Sequence, residues 1–243
     1  MLAVRFDSDE PACHLACDDV ILRRAEEGRI GECLRFYEIA RPTVVLGVAC
    51  RWERDVHADA CRCAGVRVLR RVSGGGAVLL AGGCMNYSLV LDAAAHGALR
   101  GVRSSYHWIL GRLAAALAAH GVHCEAAGLS DLAWNGRKVG GSAQKRGRRM
   151  VLHHGTLLYG FDIEQMGRYV REPESCPDYR AGRPHADFVA NLPLSRAELE
   201  RAAVDAFHVD TTEPAQDVTG ELAGDVGALA RGKYSSDAWN LRR

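Results

Sequence analysis

The glycine-rich stretch at residues 73–76, which follows Arg70 and Arg71, combines residue types that suit the binding of a small anion. Glycine has no Cβ, so successive glycines let a ligand approach bare backbone amides, and the two arginines add positive charge. The spacing fails the dinucleotide pattern G-x-G-x-x-G, and no Gly-Lys-Ser/Thr sequence follows to make a P-loop. The stretch therefore predicts a site for a small anionic or acyl ligand, with a surface turn between two strands as the alternative.

A second stretch, residues 130–144, predicts a lysine held on a rigid hairpin. The Asn-Gly pair at 135–136 is the strongest two-residue hairpin signal, so residues 132–134 and 137–139 should be antiparallel strands. Lys138 then lies on a strand rather than on a loop. Its ammonium is a compact point charge.

Two adjacent histidines, His153 and His154, lie in a third predicted strand. Side chains alternate between the two faces of a strand, so at most one of these histidines can face a ligand. By the same rule Asn86 and Ser88, in another predicted strand, should share one face.

The remaining segments predict a sheet surrounded by helices. A helix is expected at residues 11–27, closed by Gly28 in a left-handed cap. The clearest helix is 104–120, which has apolar residues along one face, serines that offer an N-cap and a glycine at its end. A last long helix begins at Ser195, whose spacing to Glu198 is a capping box. Further strands are predicted at 34–37, 43–46, 66–69, 77–80, 86–91 and 151–159, short helices at 55–65, 163–170 and 222–230, and an irregular loop at 172–185.

Length and composition indicate one domain, or one domain with a small appendage. The 243 residues carry a net charge of +1, so no charge pattern favours nucleic acid or an anionic membrane as a partner. No apolar run is long enough for a signal peptide or a membrane span, and we expect a soluble, cytoplasmic protein. The cysteines number nine, an odd count at irregular spacings, which argues against a disulfide framework.

Taken together, three motifs resemble the lipoate-protein ligase family, which shares its catalytic domain with biotin-protein ligases and octanoyltransferases. They are Arg-Arg-Val-Ser-Gly-Gly-Gly at 70–76, the run from Ser-Asp-Leu to Gly-Gly-Ser-Ala-Gln at 130–144, and His-His-Gly-Thr-Leu-Leu at 153–158. They come in the family's order, and the resemblance covers residues 15–192. It implies an α+β fold of the biotin/lipoate-protein ligase catalytic-domain type, with a mixed, mainly antiparallel β-sheet and surrounding helices.

The resemblance divides the chain into a ligase-like catalytic domain at residues 1–192 and a C-terminal helical extension at residues 193–243. Larger ligases of the family carry an accessory domain that caps the cleft, and the residues after Trp239 are too few to build one. We therefore expect one of three situations: residues 193–243 supply a reduced cap, a separate accessory subunit does, or the chain is a transferase.

The reaction implied by the resemblance is a two-step, ATP-dependent lipoylation. Lipoate or octanoate forms an acyl-adenylate with ATP, and a lysine of a lipoyl-domain acceptor protein attacks it to form an amide. By resemblance Lys138 is the catalytic ammonium that stabilises the charge on the α-phosphate. Asp131 is similar in place to the aspartate that holds Mg²⁺. The family's neighbouring residue is often Asn and is Ser130 here, so metal ligation by that neighbour is not implied.

The other residues that the resemblance places at the acyl group or the nucleotide come from four short segments. They are Arg70, Arg71, Ser73, Gly74, Gly75, Gly76, Ala77, Val78, Asn86, Ser88, Gly140, Gly141, Ser142, Ala143, His154, Gly155 and Thr156. The implied cofactors are ATP and Mg²⁺, with lipoic acid as the substrate.

A transferase of the same superfamily is the main alternative. Octanoyltransferases and lipoyl amidotransferases move an acyl group through a cysteine thioester, without ATP. Cys124 and Cys176 lie near the places where two such classes carry their nucleophile. Cys124 is offset from that motif and lacks its flanking residues, and Cys176 falls in a longer loop. A binding module without catalysis is a third interpretation, against which the intact Lys138 and glycine loop argue, and the sequence favours the ligase.

Overall fold

The described part of the chain, residues 1–174, 176–209, 216–217 and 219–242 of a computed structural model, combines strands and helices throughout. Its strands are β1 (Leu2–Arg5), β2 (Cys33–Tyr37), β3 (Thr43–Leu46), β4 (Arg67–Arg70), β5 (Val78–Leu80), β6 (Cys84–Asp92), β7 (Cys124–Ala127), β8 (Asp131–Trp134), β9 (Arg137–Arg146), β10 (Met150–Leu158) and β11 (Gln216–Asp217). Its α-helices are α1 (Pro11–Glu26), α2 (Trp52–Asp55), α3 (Ala58–Cys63), α4 (Val102–Ala118), α5 (Met166–Tyr169), α6 (His185–Phe188), α7 (Arg196–Phe207), α8 (Thr219–Leu229) and α9 (Asp237–Asn240).

Within these residues, eight strands form one sheet in the order β11-β1-β2-β6-β10-β9-β8-β7. β1 pairs in parallel with both β11 and β2, and every other pair in this sheet is antiparallel. A second sheet has the order β4-β3-β5, with one parallel and one antiparallel pair. The predicted fold class, a mixed and mainly antiparallel sheet with surrounding helices, is confirmed.

Strand β6 lies in the middle of the large sheet and is buried along its whole length. Its alternating side chains separate two hydrophobic cores. Val90 packs in the first core, with α1 and the smaller sheet, whereas Tyr87 and Leu89 pack in the second core, with α4 and α7. Ser88 lies on the α1 face, where its hydroxyl donates to Asp18 at 2.9 Å. The predicted alternation along this strand is therefore confirmed.

Glycines end the two long helices as the sequence predicts. Gly28 follows α1 at φ +71°, and Gly121 follows α4 at φ +77°. The serine N-cap predicted for α4 is wrong: the cap residue is Gly101, because the chain enters the helix before the serines are reached. Ser105 instead lies in the first turn, and its hydroxyl donates to Gln144 at 3.0 Å.

Three other predicted helices differ in extent from the structure. The one expected at 55–65 is split into α2 and α3, because Val56 between them forms an isolated β-bridge with Val170. The one expected at 163–170 is a 3-10 turn, Ile163–Gln165, followed by α5. The one expected at 222–230 begins earlier, as α8. The capping box of α7 is confirmed.

Among the described helices, none is both long and apolar enough to cross a membrane.

The C-terminal segment packs into both cores. Leu199 of α7 is fully buried in the second core, and Tyr234 of the π-helical turn Ala230–Tyr234 is fully buried in the first. Lys233 and Tyr234 both donate to Asp19 of α1, at 2.8 and 3.0 Å. Residues 193–243, where described, are thus built into the body of the fold. A capping role for this segment stays a prediction.

Candidate active site

The hairpin that carries Lys138 forms as predicted. Asn135 and Gly136 have φ of +51° and +69°, and they join β8 to β9 in a tight turn. Ala133 pairs with Lys138 and Leu132 with Gly140, so the residue between Lys138 and Gly140 has no partner on β8. Such a β-bulge turns the strand locally and re-aims the neighbouring side chains. Lys138 therefore lies on a rigid strand, beside a bulge that the sequence did not reveal.

The ammonium of Lys138 has a fixed place. Its Nζ lies 2.7 Å from Oδ1 of Asp131, and the lysine side chain is 32 % exposed. A Cβ added to Gly141 would lie 2.9 Å from Cε of Lys138 and 3.0 Å from its Nζ. The lysine side chain thus folds back along β9 into space that exists because residue 141 is glycine. Gly141 positions the amine as well as leaving backbone exposed.

The other oxygen of Asp131 is held by a loop that the sequence left irregular. The hydroxyl of Tyr179 donates to Oδ2 of Asp131 at 2.8 Å. Burial and then the charge of Asp131 raise the pKa of Tyr179, so this hydroxyl keeps its proton. Pro177 of the same loop packs against Gly128, and Arg183 donates to the carbonyl of Gly136 at 2.9 Å. The loop between α5 and α6 therefore contacts and supports the lysine hairpin.

The residues present suit Mg²⁺ only in part. Mg²⁺ is commonly held by one or two carboxylates together with substrate phosphates. Asp131 offers one carboxylate, which Lys138 and Tyr179 already contact. In the described parts of the chain, no group of three or more His, Cys, Asp or Glu side chains is placed to hold a metal. Magnesium at Asp131 stays a prediction that depends on the nucleotide's own phosphates.

The glycine loop, residues 73–76, is held by hydrogen bonds from the guanidinium of Arg71. Arg71 Nη2 donates to the carbonyls of Gly74 at 2.6 Å and Gly76 at 2.9 Å, and its Nε donates to Ser73 Oγ at 3.0 Å. Gly75 has φ +83°, and a Cβ there would lie 2.8 Å from the same guanidinium. The carbonyls thus point inward to the arginine.

The backbone N–H groups of residues 74–76 differ from the carbonyls in their bonding. Of the described residues, none accepts a hydrogen bond from the amides of residues 74, 75 and 76. Gly75 and Gly76 are exposed, and a Cβ on Gly75 would lie 3.9 Å from Cβ of Ala143 on β9. Three consecutive amides that have no partner among the described residues are therefore available, beside β9, to bind an anion.

Gly47 is a further requirement of this loop that sequence reasoning missed. A Cβ on Gly47, just after β3, would lie 1.9 Å from the carbonyl oxygen of Gly75. The loop therefore rests directly on the backbone at residue 47. A glycine soon after a predicted strand was the signal that could have indicated this contact.

Arg70 lies apart from this surface. Its guanidinium is fully buried and donates to the carbonyls of Gly47 at 2.9 Å and Cys50 at 2.7 Å, and to those of Asn240 at 3.0 Å and Arg242 at 2.9 Å. It fastens the C-terminal segment to the loop after β3. The predicted contact of Arg70 with a ligand would require these bonds to break.

His154 and His153 lie on opposite faces of β10, as predicted. His154 Nε2 lies 2.5 Å from Ser73 Oγ of the glycine loop. His153 lies 3.2 Å from the hydroxyl of Tyr87 in the second core, and its burial, with the nearby His154, lowers the pKa of His153 to about 3. His154 is thus the histidine that contacts the candidate site.

Behind His154 lies a buried charged cluster whose members, on α1 and β2, are not among the predicted site residues. His154 Nδ1 lies 3.0 Å from Oδ2 of Asp18, on α1, and Arg35 of β2 donates to Oδ1 of Asp18 at 2.9 Å. Burial alone would raise the pKa of Asp18, but the hydrogen bond with His154 and the charge of Arg35 outweigh it and leave this pKa below its ordinary value. Asp18 is therefore ionised and accepts every hydrogen bond it makes.

The remaining predicted site residues line or support the same region. Gly140 and Gly155 allow close packing. A Cβ on Gly140 would lie 2.5 Å from the carbonyl oxygen of Thr156, and a Cβ on Gly155 would lie 2.6 Å from the hydroxyl of Tyr87. The Ser142 hydroxyl donates to the carbonyl of Ser130 at 2.9 Å. In the same region, Asn86, Ser88 and Ala143 are buried, and Ala77, Val78 and Thr156 are partly buried.

The two candidate nucleophilic cysteines differ in environment. Cys124, at the start of β7, is partly buried, and burial raises the pKa of its thiol to about 12. A thiol with so high a pKa forms little thiolate near neutral pH, which argues against a nucleophile. Cys176 is exposed, and its thiol donates to the carbonyl of Pro173 at 3.3 Å. All nine cysteines are free, as expected.

Comparison with known proteins finds a family that matches most of this chain. Residues 10–207 match the family described as the lipoyl protein ligase A/B catalytic domain. Among curated relatives, the octanoyltransferase LipM of Geobacillus kaustophilus is 29% identical over 269 residues, which covers 96% of this chain and 95% of that protein.

Solved structures share the whole fold at lower identity. One is a bi-partite lipoate protein ligase from Thermoplasma acidophilum, described with its E2 lipoyl domain, with a TM-score of 0.83 and 22% identity over 100% of this chain and 96% of that one. Another is a lipoate-protein ligase A bound with ATP, with a TM-score of 0.84 and 21% identity over 99% and 98% of the two chains. Likeness at these identities shows the fold.

Proposed function

Because the chain belongs to the family of lipoyl protein ligase A/B catalytic domains, we propose that it is an ATP-dependent lipoate-protein ligase. In the proposed reaction the carboxylate of lipoate or octanoate attacks the α-phosphorus of ATP and releases pyrophosphate. The amine of an acceptor lysine then attacks the acyl carbon and releases AMP. The acceptor is a lipoyl-domain protein.

One observation carries the proposal: a fixed ammonium, at Gly141, and the glycine loop, at Ala143, lie close together along β9, and the amides of residues 74–76 have no hydrogen-bond partner among the described residues. The N–H groups of residues 74–76 can bind an anionic oxygen, and Lys138 on the neighbouring strand can neutralise the charge that develops on the α-phosphate as each leaving group departs. Both parts are pre-formed, the loop by Arg71 and the lysine by Asp131 and Gly141. Pre-formed donors need no reorganisation during the reaction.

Asp131 has two proposed roles. In the described structure it holds Lys138 in place through Oδ1. With nucleotide bound, it would hold Mg²⁺ together with the phosphates, and the ion would supply further charge neutralisation there. The acyl chain is proposed to lie between the glycine loop and β6, on the face where Asn86 and Ser88 are buried.

The names of the structural neighbours support the partners in this proposal. One neighbour binds ATP, and another was solved in an archaeal lipoylation system with its E2 lipoyl domain. That second ligase is bi-partite, and this chain covers 96% of its matched chain. A separate accessory subunit is therefore part of the proposal, alongside a reduced cap formed by residues 193–243.

The test of the proposed function is ATP–pyrophosphate exchange. Purified protein with ATP, Mg²⁺ and labelled pyrophosphate should incorporate label into ATP when lipoate or octanoate is added, and not with the acid omitted. Mass spectrometry of an acceptor lipoyl domain should then show acylation that requires ATP. Acylation of the acceptor from an acyl-carrier protein in the absence of ATP, without any exchange, would rule out the ligase.

A cysteine-dependent octanoyl or lipoyl transferase is the second candidate, favoured by the LipM relative that matches over almost the full length of both chains. This reaction needs a thioester on Cys124 or Cys176. The raised pKa of Cys124 and the absence of a base bonded to Cys176 in the described residues weaken it.

Substitution of both cysteines separates these two reactions. We expect the double variant Cys124→Ser/Cys176→Ser to retain ATP-dependent acylation within about two-fold, because conservative changes away from the reacting groups have small effects. The measurement is the initial rate of acceptor acylation with ATP and lipoate. Cys63→Ser, at an exposed cysteine on α3, is the matched control. The same variants are also assayed with an acyl-carrier-protein donor and no ATP. Acylation of the acceptor under those conditions by the wild type and by Cys63→Ser, but not by the double variant, would favour the transferase.

A further inference from the structure

We infer that Asp18 is a positioning residue: it fixes the proton of His154 on Nδ1 and thereby directs the hydroxyl of Ser73, which anchors the glycine loop. The inference deepens the proposed function, on which it rests only for the identity of the bound ligand. It concerns a chain of contacts, Asp18–His154–Ser73, that links α1 to the loop through β10.

The three side chains are removed from solvent and in hydrogen-bond contact. Ser73, Asp18 and His154 are 0 %, 2 % and 7 % exposed. Asp18 Oδ2 lies 3.0 Å from His154 Nδ1, and His154 Nε2 lies 2.5 Å from Ser73 Oγ. They come from three separate elements, so the arrangement is a product of the tertiary fold.

The ionised state of Asp18 determines the direction of each hydrogen bond between Asp18, His154 and Ser73. Asp18 is ionised and can only accept, and it already accepts from Arg35 and from Ser88. Its contact with His154 is a hydrogen bond only if His154 carries a proton on Nδ1. In the neutral ring Nε2 is then an acceptor, so the hydroxyl of Ser73 must donate to it.

Arg71 completes the arrangement from the opposite side. Its Nε donates to Ser73 Oγ, so that oxygen accepts one bond and donates another. The same guanidinium holds the carbonyls of Gly74 and Gly76. The Ser73 hydroxyl thus accepts a hydrogen bond from Arg71 and donates one to His154, both inside the protein. The loop therefore presents its N–H groups, and not this hydroxyl, to an incoming carboxylate or phosphate.

The structure also indicates what the opposite tautomer would do. An asparagine at position 18 can donate to Nδ1 of His154, which moves the ring proton to Nε2. Two donors, His154 and Arg71, would then point at Ser73 Oγ, and the serine proton would have to turn elsewhere. The glycine loop would lose the hydrogen bond that the Ser73 hydroxyl donates to His154 Nε2 on β10. The amides of residues 74–76 would then be less well placed to bind an anionic ligand.

The first test needs no substrate. Two-bond ¹⁵N–¹H spectra of the full chain labelled with ¹⁵N-histidine report which ring nitrogen carries the proton. The signals of His154 are assigned by their loss in His154→Gln. We expect the Nδ1–H tautomer in the wild type and a shift to Nε2–H in Asp18→Asn. A wild-type His154 with its proton on Nε2 would overturn the inference.

The second test is kinetic. In ATP–pyrophosphate exchange, Asp18→Asn and Ser73→Ala should each raise KM for the acyl acid by about ten- to a hundred-fold, the range for loss of a hydrogen bond to a charged group, with a smaller effect on kcat. The double variant should be no worse than the more affected single variant, because both break one chain of contacts. Additive effects would contradict the inference.

Asp19→Asn is the matched control, since Asp19 is the next residue on α1 and bonds to Lys233 and Tyr234 instead. It should leave the tautomer of His154 unchanged and KM within about two-fold. If Asp18→Asn fails to fold because Arg35 loses its partner, the wild-type spectrum and Ser73→Ala still decide the question. If no exchange occurs at all while His154 carries its proton on Nδ1, the proposed function fails and the positioning role of Asp18 stands.

Discussion

Substitution of Lys138 with methionine is expected to reduce acyl-adenylate formation by about 100–1000-fold, the range seen when one donor to a developing negative charge is removed. Methionine keeps the length and apolar stem of lysine and removes only the ammonium. Tyr179 still donates to Asp131, so that carboxylate keeps one partner and the fold should persist. The measurement is the rate of lipoate-dependent ATP–pyrophosphate exchange, with thermal unfolding followed in parallel.

Lys145→Met is the matched control for this substitution. Lys145 lies on the same strand, β9, but is exposed and further from the hairpin turn. Exchange should stay within about two-fold of wild type, as for most surface substitutions. If Lys138→Met retained wild-type exchange, Lys138 would be an ordinary solvated hairpin residue and the site would lie elsewhere.

The local signals in the sequence were sufficient for the hairpin and the loop. Asn-Gly at 135–136 predicts the turn because both residues must adopt positive φ, and the structure has φ of +51° and +69° there. The glycines at 74–76 predict bare backbone, and their amides are unpaired within the described residues. Each of these features depends on residues close together in the chain, which a pattern can detect.

The roles of the two arginines could not be predicted in the same way. Arg70 and Arg71 are neighbours, but Arg71 holds the glycine loop and Arg70 holds residues 240 and 242. The partners of Arg70 lie about 170 residues further along the chain, so no local pattern indicates them. The same applies to Asp18, which meets His154 across 136 residues.

The bulge beside Lys138 also could not be predicted from the sequence. It is a one-residue shift in the pairing of β8 with β9, so it depends on how the two strands meet and not on the pattern of either strand alone. Its consequence is functional, because the bulge and Gly141 together set where the amine lies.

Substitution of Gly141 with alanine tests the position of that amine without removing it. The added Cβ would lie 2.9 Å from Cε and 3.0 Å from Nζ of Lys138, and these atoms are the mobile end of a flexible side chain. The lysine can therefore move aside at little cost in folding free energy. Since a displacement of about 1 Å at a reacting group can cost about 100-fold in rate, we expect exchange to fall by about 10–100-fold with thermal unfolding nearly unchanged.

Two comparisons make this result specific. Gly140→Ala places its Cβ 2.5 Å from the carbonyl oxygen of Thr156, which is backbone and cannot move aside, so it should lower thermal stability clearly. Gly111→Ala, on α4, meets no atom within 4 Å, so it should leave exchange unchanged and raise thermal stability slightly, since alanine is favoured over glycine inside a helix. The double variant Lys138→Met/Gly141→Ala should be no slower than Lys138→Met alone, because alanine at 141 acts only through the amine. Full exchange activity in Gly141→Ala would mean that the amine is not needed where the structure places it, while a further loss in the double variant would mean that residue 141 contacts the ligand itself.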